Sequence, residues 1–362
     1  MKKINIAVIF GGESPEHNVS LESGRTICRE INSNIYNLFC IYISRKGIWF
    51  LIDAKKFINK NVISEQADVL PYPPKKSFFL CDKTNKKISS LKIDVIFPVV
   101  HGTTGEDGVL QGVFEILDIP YVGSGVSASG CAINKVISKS MARKENIPCL
   151  KDFTLTKNDE SFDTAELDIE LPVFVKPVSM GSSVGITKVK KSSQLKKAIK
   201  LAFKYENNIM IEKGIDGARE IVCGILGSRK SLRASVCGEV KPLKHDFFDY
   251  DAKYLAKKGF DLTIPAKISK KNSNKIRTMS KSIFKSLNCS GYARIDFLMH
   301  PLDENKFYFC EINTIPGFTA HSLYPSLWKF SQIKIKELIE RLIKITLKKS
   351  AKSAKITNRK LR

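Results

Sequence analysis

Ile4-Asn5-Ile6-Ala7-Val8-Ile9-Phe10-Gly11-Gly12 is a short, mostly apolar run that stops at two glycines. A parallel strand covered on both faces reads this way, because it has no solvent side to alternate with. Beyond the glycines, Leu21, Ile27, Cys28 and Ile31 fall on one side of a 3.6-residue period, and Tyr36 to Ile43 reads as the next strand. Ile93 to Val100 supplies another strand, followed by a helix carrying Leu110, Val113, Phe114 and Leu117. Strands alternating with helices predict a doubly wound α/β unit with ligands at the carboxyl ends of its strands. Residues 44–92, rich in Lys, Asn and Ser, read as an elaboration on that unit.

A second unit begins near Gly123, with a helix whose apolar side is Ile133, Val136, Ile137 and Met141. It continues with a strand at 172–176, a helix with Leu195, Ala198, Ile199 and Ala202, and a strand at 208–213. A third unit holds Glu220 to Gly227, a polar and aromatic loop around 241–260, and a helix with Ile276, Met279, Ile283 and Leu287. Strands at 291–299 and 306–312 and a helix from about 331 complete it. The predicted division is three α/β domains, 1–123, 124–211 and 212–345, then a basic tail, 346–362, with too few apolar residues to pack and so expected to fray. No internal repeat is visible.

A hydrophobic fraction of 43% over 362 residues excludes wholesale disorder and allows a sizeable core. The formal charge of +24 invites a nucleic-acid or membrane-surface role. Against that, 48 of the 60 basic residues are Lys scattered among Asn and Ile, which suits solvated positions, and no nucleic-acid motif clusters Arg with aromatics. The last 19 residues hold eight basic groups and no acid, leaving +16 on the rest. Nine Cys, none in a CxxC pair, fit free thiols in a reducing compartment. No apolar run approaches the ~20 residues of a membrane span, and the apolar segment after the charged N-terminus is too short for a secretory signal. A cytoplasmic protein without membrane insertion is expected.

Chemistry concentrates in two strands, Tyr292-Ala-Arg-Ile-Asp-Phe-Leu298 and Phe307-Tyr-Phe-Cys-Glu-Ile-Asn313. Alternate residues of a strand share a face, so Arg294 and Asp296 project together while Ala293, Ile295 and Phe297 enter the core. Glu311 and Asn313 likewise share a face. If the strands pair, two carboxylates, an amide oxygen and a guanidinium converge, and such hard oxygens suit magnesium. Any one of these residues alone reads as a surface salt bridge; four on two apolar strands favour a metal site.

The loop Val178-Ser-Met-Gly-Ser-Ser-Val-Gly185 follows a strand ending Lys176-Pro177. Small residues let backbone N–H groups approach phosphate oxygens, with Lys176 adding charge. By itself the loop is equally well a turn; with a magnesium site downstream an ATP-phosphate role is the better reading. The Walker pattern GxxxxGK[ST] is missing, which disfavours that class of NTPase. His101-Gly-Thr-Thr-Gly-Glu-Asp-Gly108 and Gly11-Gly-Glu-Ser-Pro-Glu-His17 both follow strands at the ligand-bearing edge. His101 there is placed to touch substrate, or is simply structural. Glu16 could bind an ammonium, or simply favour a helix N-terminus.

In this order, GGESPEHNVSLESG (11–24), HGTTGEDGVLQG (101–112), VKPVSMGSSVG (175–185), FDYDAKYL (248–255), GYARIDFLMHPLDENKFYFCEINTIPG (291–317) and PGFTAHSL (316–323) resemble the D-alanine–D-alanine ligases of the ATP-grasp superfamily. The resemblance covers residues 1 to about 345. It implies a Rossmann-like pre-ATP-grasp domain followed by a two-part ATP-grasp fold. By the same resemblance, Lys135 and Lys176 contact ATP phosphates, Glu212, Lys213, Ile215 and Glu220 surround the adenosine, and Phe247 packs on the base. Asp296, Glu311 and Asn313 hold two Mg²⁺, or Mn²⁺ in their place. Glu16 receives the amine of the first D-alanine, with His101 beside it, and Glu16, Ser182 and Tyr254 form a hydrogen-bonded trio that holds a lid shut. Lys253 reaches the γ-phosphate from that lid. Arg294 and the Gly317 N–H stabilise the tetrahedral oxyanion, and Ser322 and Leu323 hold the second D-alanine.

The implied reaction joins two D-alanines for peptidoglycan precursor synthesis through an acyl phosphate, in a homodimeric enzyme with no specific nucleic-acid partner. Acyl phosphates are water-labile, so a closing lid is expected at 241–260. Three rivals stand beside this reading: an ATP-grasp ligase with D-lactate or D-serine as acceptor, a polyanion-binding protein, and an inactive homologue. Intact ligand types at every matched position speak against the last.

Overall fold

The computed structural model of this chain describes residues 3–72, 76–82, 87–159, 169–242 and 260–360. The strand β1 (Ile4–Gly11) pairs in parallel with β2 (Tyr36–Ile43) and with β7 (Val95–Pro98). Between β1 and β2 runs α1 (His17–Glu30). The Ser20 hydroxyl accepts from the Gly11 N–H and donates to the Val99 carbonyl, both at 2.7 Å, so α1 stitches together the carboxyl ends of β1 and β7. The elaboration expected at 44–92 is β3 (Trp49–Ile52), α2 (Ala54–Lys60), β4 (Glu65–Tyr72), β5 (Ser77–Cys81) and β6 (Ile88–Lys92). These strands extend the sheet antiparallel from β2, giving the order β6-β5-β4-β3-β2-β1-β7. The helix α3 (Val109–Ile116) buries Leu110 and Phe114 against one face, as its period predicts.

Two helices, α4 (Val126–Ile133) and α5 (Lys135–Lys144), replace the single helix expected after Gly123. Asn134 between them is extended, and its side chain caps α5 by accepting from the Ile137 N–H at 3.0 Å. The buried face of α5 is also different from the expected one. Lys135, Ser138, Lys139 and Ala142 are buried, whereas Ile137 is 41% exposed. A polar face is turned inward because it meets a charged partner, described below. Ala128, Ala132, Ala142 and Ile147 pack with the third sheet rather than the second.

The second sheet contains β8 (Asp152–Thr156), β9 (Val173–Pro177), β10 (Thr187–Val189) and β11 (Asn208–Lys213), in the order β10-β9-β11-β8. It is covered by α6 (Leu195–Ala202), whose buried Leu195, Ala198, Ile199 and Ala202 are the stripe read from sequence. The third sheet is antiparallel: β12 (Arg219–Ser228), β13 (Ser231–Pro242), β14 (Phe260–Thr263), β15 (Gly291–His300) and β16 (Asp303–Asn313), ordered β14-β13-β12-β15-β16. The helix α7 (Lys270–Ser286) covers one face with Ile276, Ile283 and Phe284. On the other, α8 (Leu323–Phe330) packs Leu323 and Leu327 against Val222 and Val240. This helix begins inside the motif at 316–323, and its Pro325 sits in the first turn, where a missing N–H costs nothing.

The last helix, α9 (Ile335–Lys360), returns to the first sheet. Leu338, Ile339, Leu342 and Ile343 are buried in the cluster built on Phe10, Phe57 and Phe97. Burying each such side chain is worth roughly 1.5–3 kcal/mol. Contrary to the fraying expected from 346, the helix continues to Lys360, and Thr346 and Leu347 still pack. Lys and Ala are strong helix formers, so a stretch rich in them can extend a helix already nucleated by its apolar part.

Candidate active site

A cavity of about 540 Å³ lies between the second and third sheets, within the usual size of small-molecule sites. Phe174 and Lys176 of β9 and Glu212 of β11 form one wall; Glu220 and Val222 of β12, Arg294 and Asp296 of β15, and Cys310 and Glu311 of β16 form the other. Lys135 of α5, Ile215 and Leu323 also line it.

The strand pairing places the carboxylates as alternation requires. Asp296 lies opposite Glu311, and Arg294 opposite Asn313, across β15 and β16. Ala293, Ile295 and Phe297 are buried behind them. Arg294 donates through Nε and a terminal N–H to both Asp296 oxygens, at 2.8 and 2.7 Å. Each carboxylate oxygen has a second lone pair, so Asp296 can hold the guanidinium and a cation together. Two carboxylates and an amide oxygen, all hard donors, fit a magnesium-type ion. Among the described residues no three His, Cys, Asp or Glu side chains form a metal cluster.

On the facing wall Glu212 sits between two ammonium groups, Lys176 on Oε2 and Lys139 on Oε1. Burial pushes the Glu212 carboxyl up, but the two cations outweigh it and hold it at about 2. Burial likewise opposes the charge on Lys176, yet Glu212 raises its pKa overall. Lys135 is shifted down, by burial first, with the like charge of Lys176 adding to it. The Lys135 ammonium donates to the Met180 carbonyl at 2.7 Å, and its N–H to the Val178 carbonyl at 3.0 Å. The glycine loop is thereby tied to the start of α5. Ser182 and Ser183 in that loop take φ of 53° and 60°, a left-handed backbone that costs a non-glycine residue energy and turns the chain sharply.

A second polar cluster adjoins the cavity at the carboxyl edge of the first sheet. The His101 Nδ1 lies 2.8 Å from the Ile315 carbonyl, which only accepts, so Nδ1 carries the proton. Its Nε2 therefore accepts from the Ser23 hydroxyl, 3.3 Å away, whose oxygen in turn accepts from the Phe318 N–H at 3.0 Å. Burial pushes the His101 pKa down, favouring the neutral ring, while Glu16 opposes the shift. The Glu106 carboxylate accepts from Gly102 N–H at 3.0 Å and from Ile315 N–H at 3.2 Å. Glu106 is pushed up to about 8, by burial first and then by the Glu16 charge. Gly102 has a φ of +76°, and a Cβ there would lie 2.9 Å from Glu16 Oε2, so both its backbone and its neighbour require glycine. A Cβ on Gly181 would lie 3.7 Å from the same oxygen, which brings the loop of Ser182 to Glu16. Ser322 accepts from the Thr319 N–H at 2.9 Å, and a Cβ at Gly317 would lie 2.8 Å from its hydroxyl.

Of the residues singled out in the sequence, Lys135, Lys176, Glu212, Ile215, Glu220, Arg294, Asp296, Glu311 and Leu323 line the cavity. Glu16, His101, Ser182, Gly317 and Ser322 gather at its neighbouring edge, and Asn313 joins the two parts by accepting from the Ile315 N–H at 3.1 Å. The Lys213 side chain turns aside to Glu170, 2.5 Å away. Phe247, Lys253 and Tyr254, with residues 243–259 of the expected lid, lie outside the described residues; positions 241, 242 and 260 of that stretch are strand residues of β13 and β14. Sequence reasoning missed Lys139, Glu106 and Ser23. Glu106 stood within the motif quoted for His101, and Lys139 follows Lys135 by one helical turn; both were legible as positions, without a role.

Two sheets closing on a cavity, with ammonium groups on one wall and carboxylates on the other, define an ATP-grasp fold. The family description "D-ala D-ala ligase N-terminus" matches residues 5–124, and "D-ala D-ala ligase C-terminus" matches residues 141–344. The D-alanine--D-alanine ligase of Oceanobacillus iheyensis is 38% identical, covering 98% of each chain. The D-alanine--D-alanine ligase A of Escherichia coli K12 is 37% identical over 97% of this chain and 98% of its own. Among solved structures, the VanG D-Ala:D-Ser ligase from Enterococcus faecalis matches with a TM-score of 0.85 at 34% identity, covering 95% of this chain and all of that one. The D-alanine-D-alanine ligase from Coxiella burnetii matches at 0.82 and 31%, over 99% and 98%. This chain belongs to the D-alanine–D-alanine ligase family.

Proposed function

We propose that this protein joins two D-alanine molecules to D-alanyl-D-alanine at the expense of ATP, through an acyl phosphate, for peptidoglycan precursor synthesis. The observation that carries the reading is the register of β15 with β16, which sets Asp296 against Glu311 and Arg294 against Asn313 on the wall facing Lys135 and Lys176. ATP fits between the sheets, its phosphates toward Lys135 and Lys176 and its adenosine among Glu212, Lys213, Ile215 and Glu220. Asp296, Glu311 and Asn313 would hold two magnesium ions, or manganese, which when bound offset the repulsion between the anionic reactants.

Glu16 holds the amine of the first D-alanine, beside a neutral His101 that adds no cation to compete for it. The carboxylate of that D-alanine attacks the γ-phosphate, ADP leaves, and the acyl phosphate remains. Ser322 and Leu323 then hold the second D-alanine, whose amine attacks the activated carbonyl. Arg294, aimed by Asp296, and the Gly317 N–H stabilise the oxyanion that forms, and phosphate leaves. Phe247, Lys253 and Tyr254 take the base-stacking, γ-phosphate and lid-latching roles that the family resemblance implies, Tyr254 with Glu16 and Ser182.

Relatives named as D-alanine ligases, 37–38% identical over nearly the whole chain, favour D-alanine over D-serine or D-lactate as acceptor. No described helix is long and apolar enough to cross a membrane; a cytoplasmic location and a homodimer without a nucleic-acid partner complete the proposal. Phosphate release on mixing with ATP, Mg²⁺ and D-alanine, with product analysis at pH 7.5 in the presence of D-lactate and D-serine, is the test. D-Alanyl-D-alanine should predominate; predominance of another product would replace the acceptor, and no phosphate release would refute the ligase.

A further inference from the structure

Lys139 has no place in the reaction as described, yet its side chain is fully buried and its ammonium meets Glu212. Burying an ammonium is expensive, and it is tolerated only against a matching charge. Here that match is already supplied from the other side, because Lys176 pairs with the second Glu212 oxygen. Lys176 and Glu212 border the cavity, whereas Lys139 stands behind them, outside its lining. Lys135 is the third ammonium nearby, and Glu311 acts on both Lys135 and Lys176.

The pairing of Glu212 on both oxygens bears on the nucleotide. A carboxylate with a single cationic partner would hold that partner tightly, and Lys176 would be spent on Glu212. Resting on the nucleotide reading above, we infer that Lys139 is a positioning residue that neutralises Glu212 from behind, so that Lys176 keeps its charge for the phosphates of ATP. Its own atoms never touch the ligand. Its place on α5, one turn after Lys135, lets the same helix anchor the glycine loop and balance Glu212.

The test compares dissociation constants for ADP and adenosine, measured by calorimetry without D-alanine, because their ratio isolates the phosphate contacts. Lys139→Met should weaken ADP roughly tenfold or more, the size of a lost charge-assisted contact, and adenosine by less than about twofold. Lys139→Arg, which restores a cation, should bring the ratio back to within about threefold of the unaltered protein. Lys139→Met combined with Glu212→Gln removes the charge together with its counter-charge, a substitution buried pairs often tolerate, and frees Lys176. Its adenosine-to-ADP ratio should equal or exceed that of the unaltered protein. A purely structural Lys139 would instead lower melting temperature or weaken both ligands equally. An unchanged ratio in Lys139→Met, or a ratio still depressed in the double variant, overturns the inference. An unaltered protein that binds ADP but releases no phosphate with D-alanine refutes the ligase reading and leaves the nucleotide-site inference to the ratio measured above.

Discussion

Arg294 donates to both oxygens of Asp296 from two positions earlier on the same strand, at 2.8 and 2.7 Å. The guanidinium plane is thus set by a neighbour that strand geometry guarantees. A lysine at 294 would keep the charge and lose the fork. Arg294→Lys should cut kcat by about 10²-fold or more, the usual range for one oxyanion donor, with a smaller change in the ATP KM. Steady-state phosphate release, with circular dichroism as the check on folding, decides this; a kcat within threefold of normal would remove Arg294 from the chemistry.

Glu311→Gln keeps the shape of a residue opposite Asp296 and removes its charge. The loss should fall mainly on turnover, because cation charge matters most as phosphoryl charge redistributes. Raising Mg²⁺ should recover part of the rate. Near-normal phosphate release at limiting Mg²⁺ would sink the assignment.

Glu106 is an acid with its pKa pushed up to about 8, by burial first and by Glu16 next. Its neutral form is favoured in the fold and its ionised form in the unfolded chain. The stability it contributes is therefore greatest below about pH 4.5 and is lost as pH rises toward about 8. Glu106→Gln abolishes this titration, at the cost of one of the two N–H contacts now accepted from Gly102 and Ile315. The melting temperature of the variant relative to the unaltered protein should accordingly rise from pH 5 to pH 8.5. A flat difference across that range would show that Glu106 is ionised in the fold throughout.

The C-terminal helix carries buried apolar side chains in its first turns. A chain ending at Leu347 retains buried Leu338, Ile339, Leu342 and Ile343 and should keep its melting temperature and ligase rate. Binding to polyanions such as heparin should weaken, since the shortened chain loses the seven cations from Lys348 onward. In contrast, Leu342→Ala should cost about 2–5 kcal/mol by chemical denaturation. Loss of activity in the folded shortened chain would show that the basic end serves the site.

What the sequence by itself determined is what depends on neighbours in the chain. Alternation along a strand put Arg294 with Asp296 and Glu311 with Asn313, and apolar runs placed β1, β2 and β11 within a residue of where they lie. Partnership between strands needed only that the two carboxyl-bearing segments be adjacent, and β15 and β16 are joined by a short turn. Tertiary structure alone decided the orientation of α5. Its apolar side, Val136, Ile137 and Met141, was the natural choice for the core by hydrophobicity. Glu212, 73 positions beyond Lys139, reverses that choice, because a buried carboxylate between two ammonium groups outweighs the exposure of one isoleucine. Glu106 teaches the same lesson: its partner Ile315 is 209 residues away, and a long-range contact to a backbone N–H leaves no periodic trace in sequence.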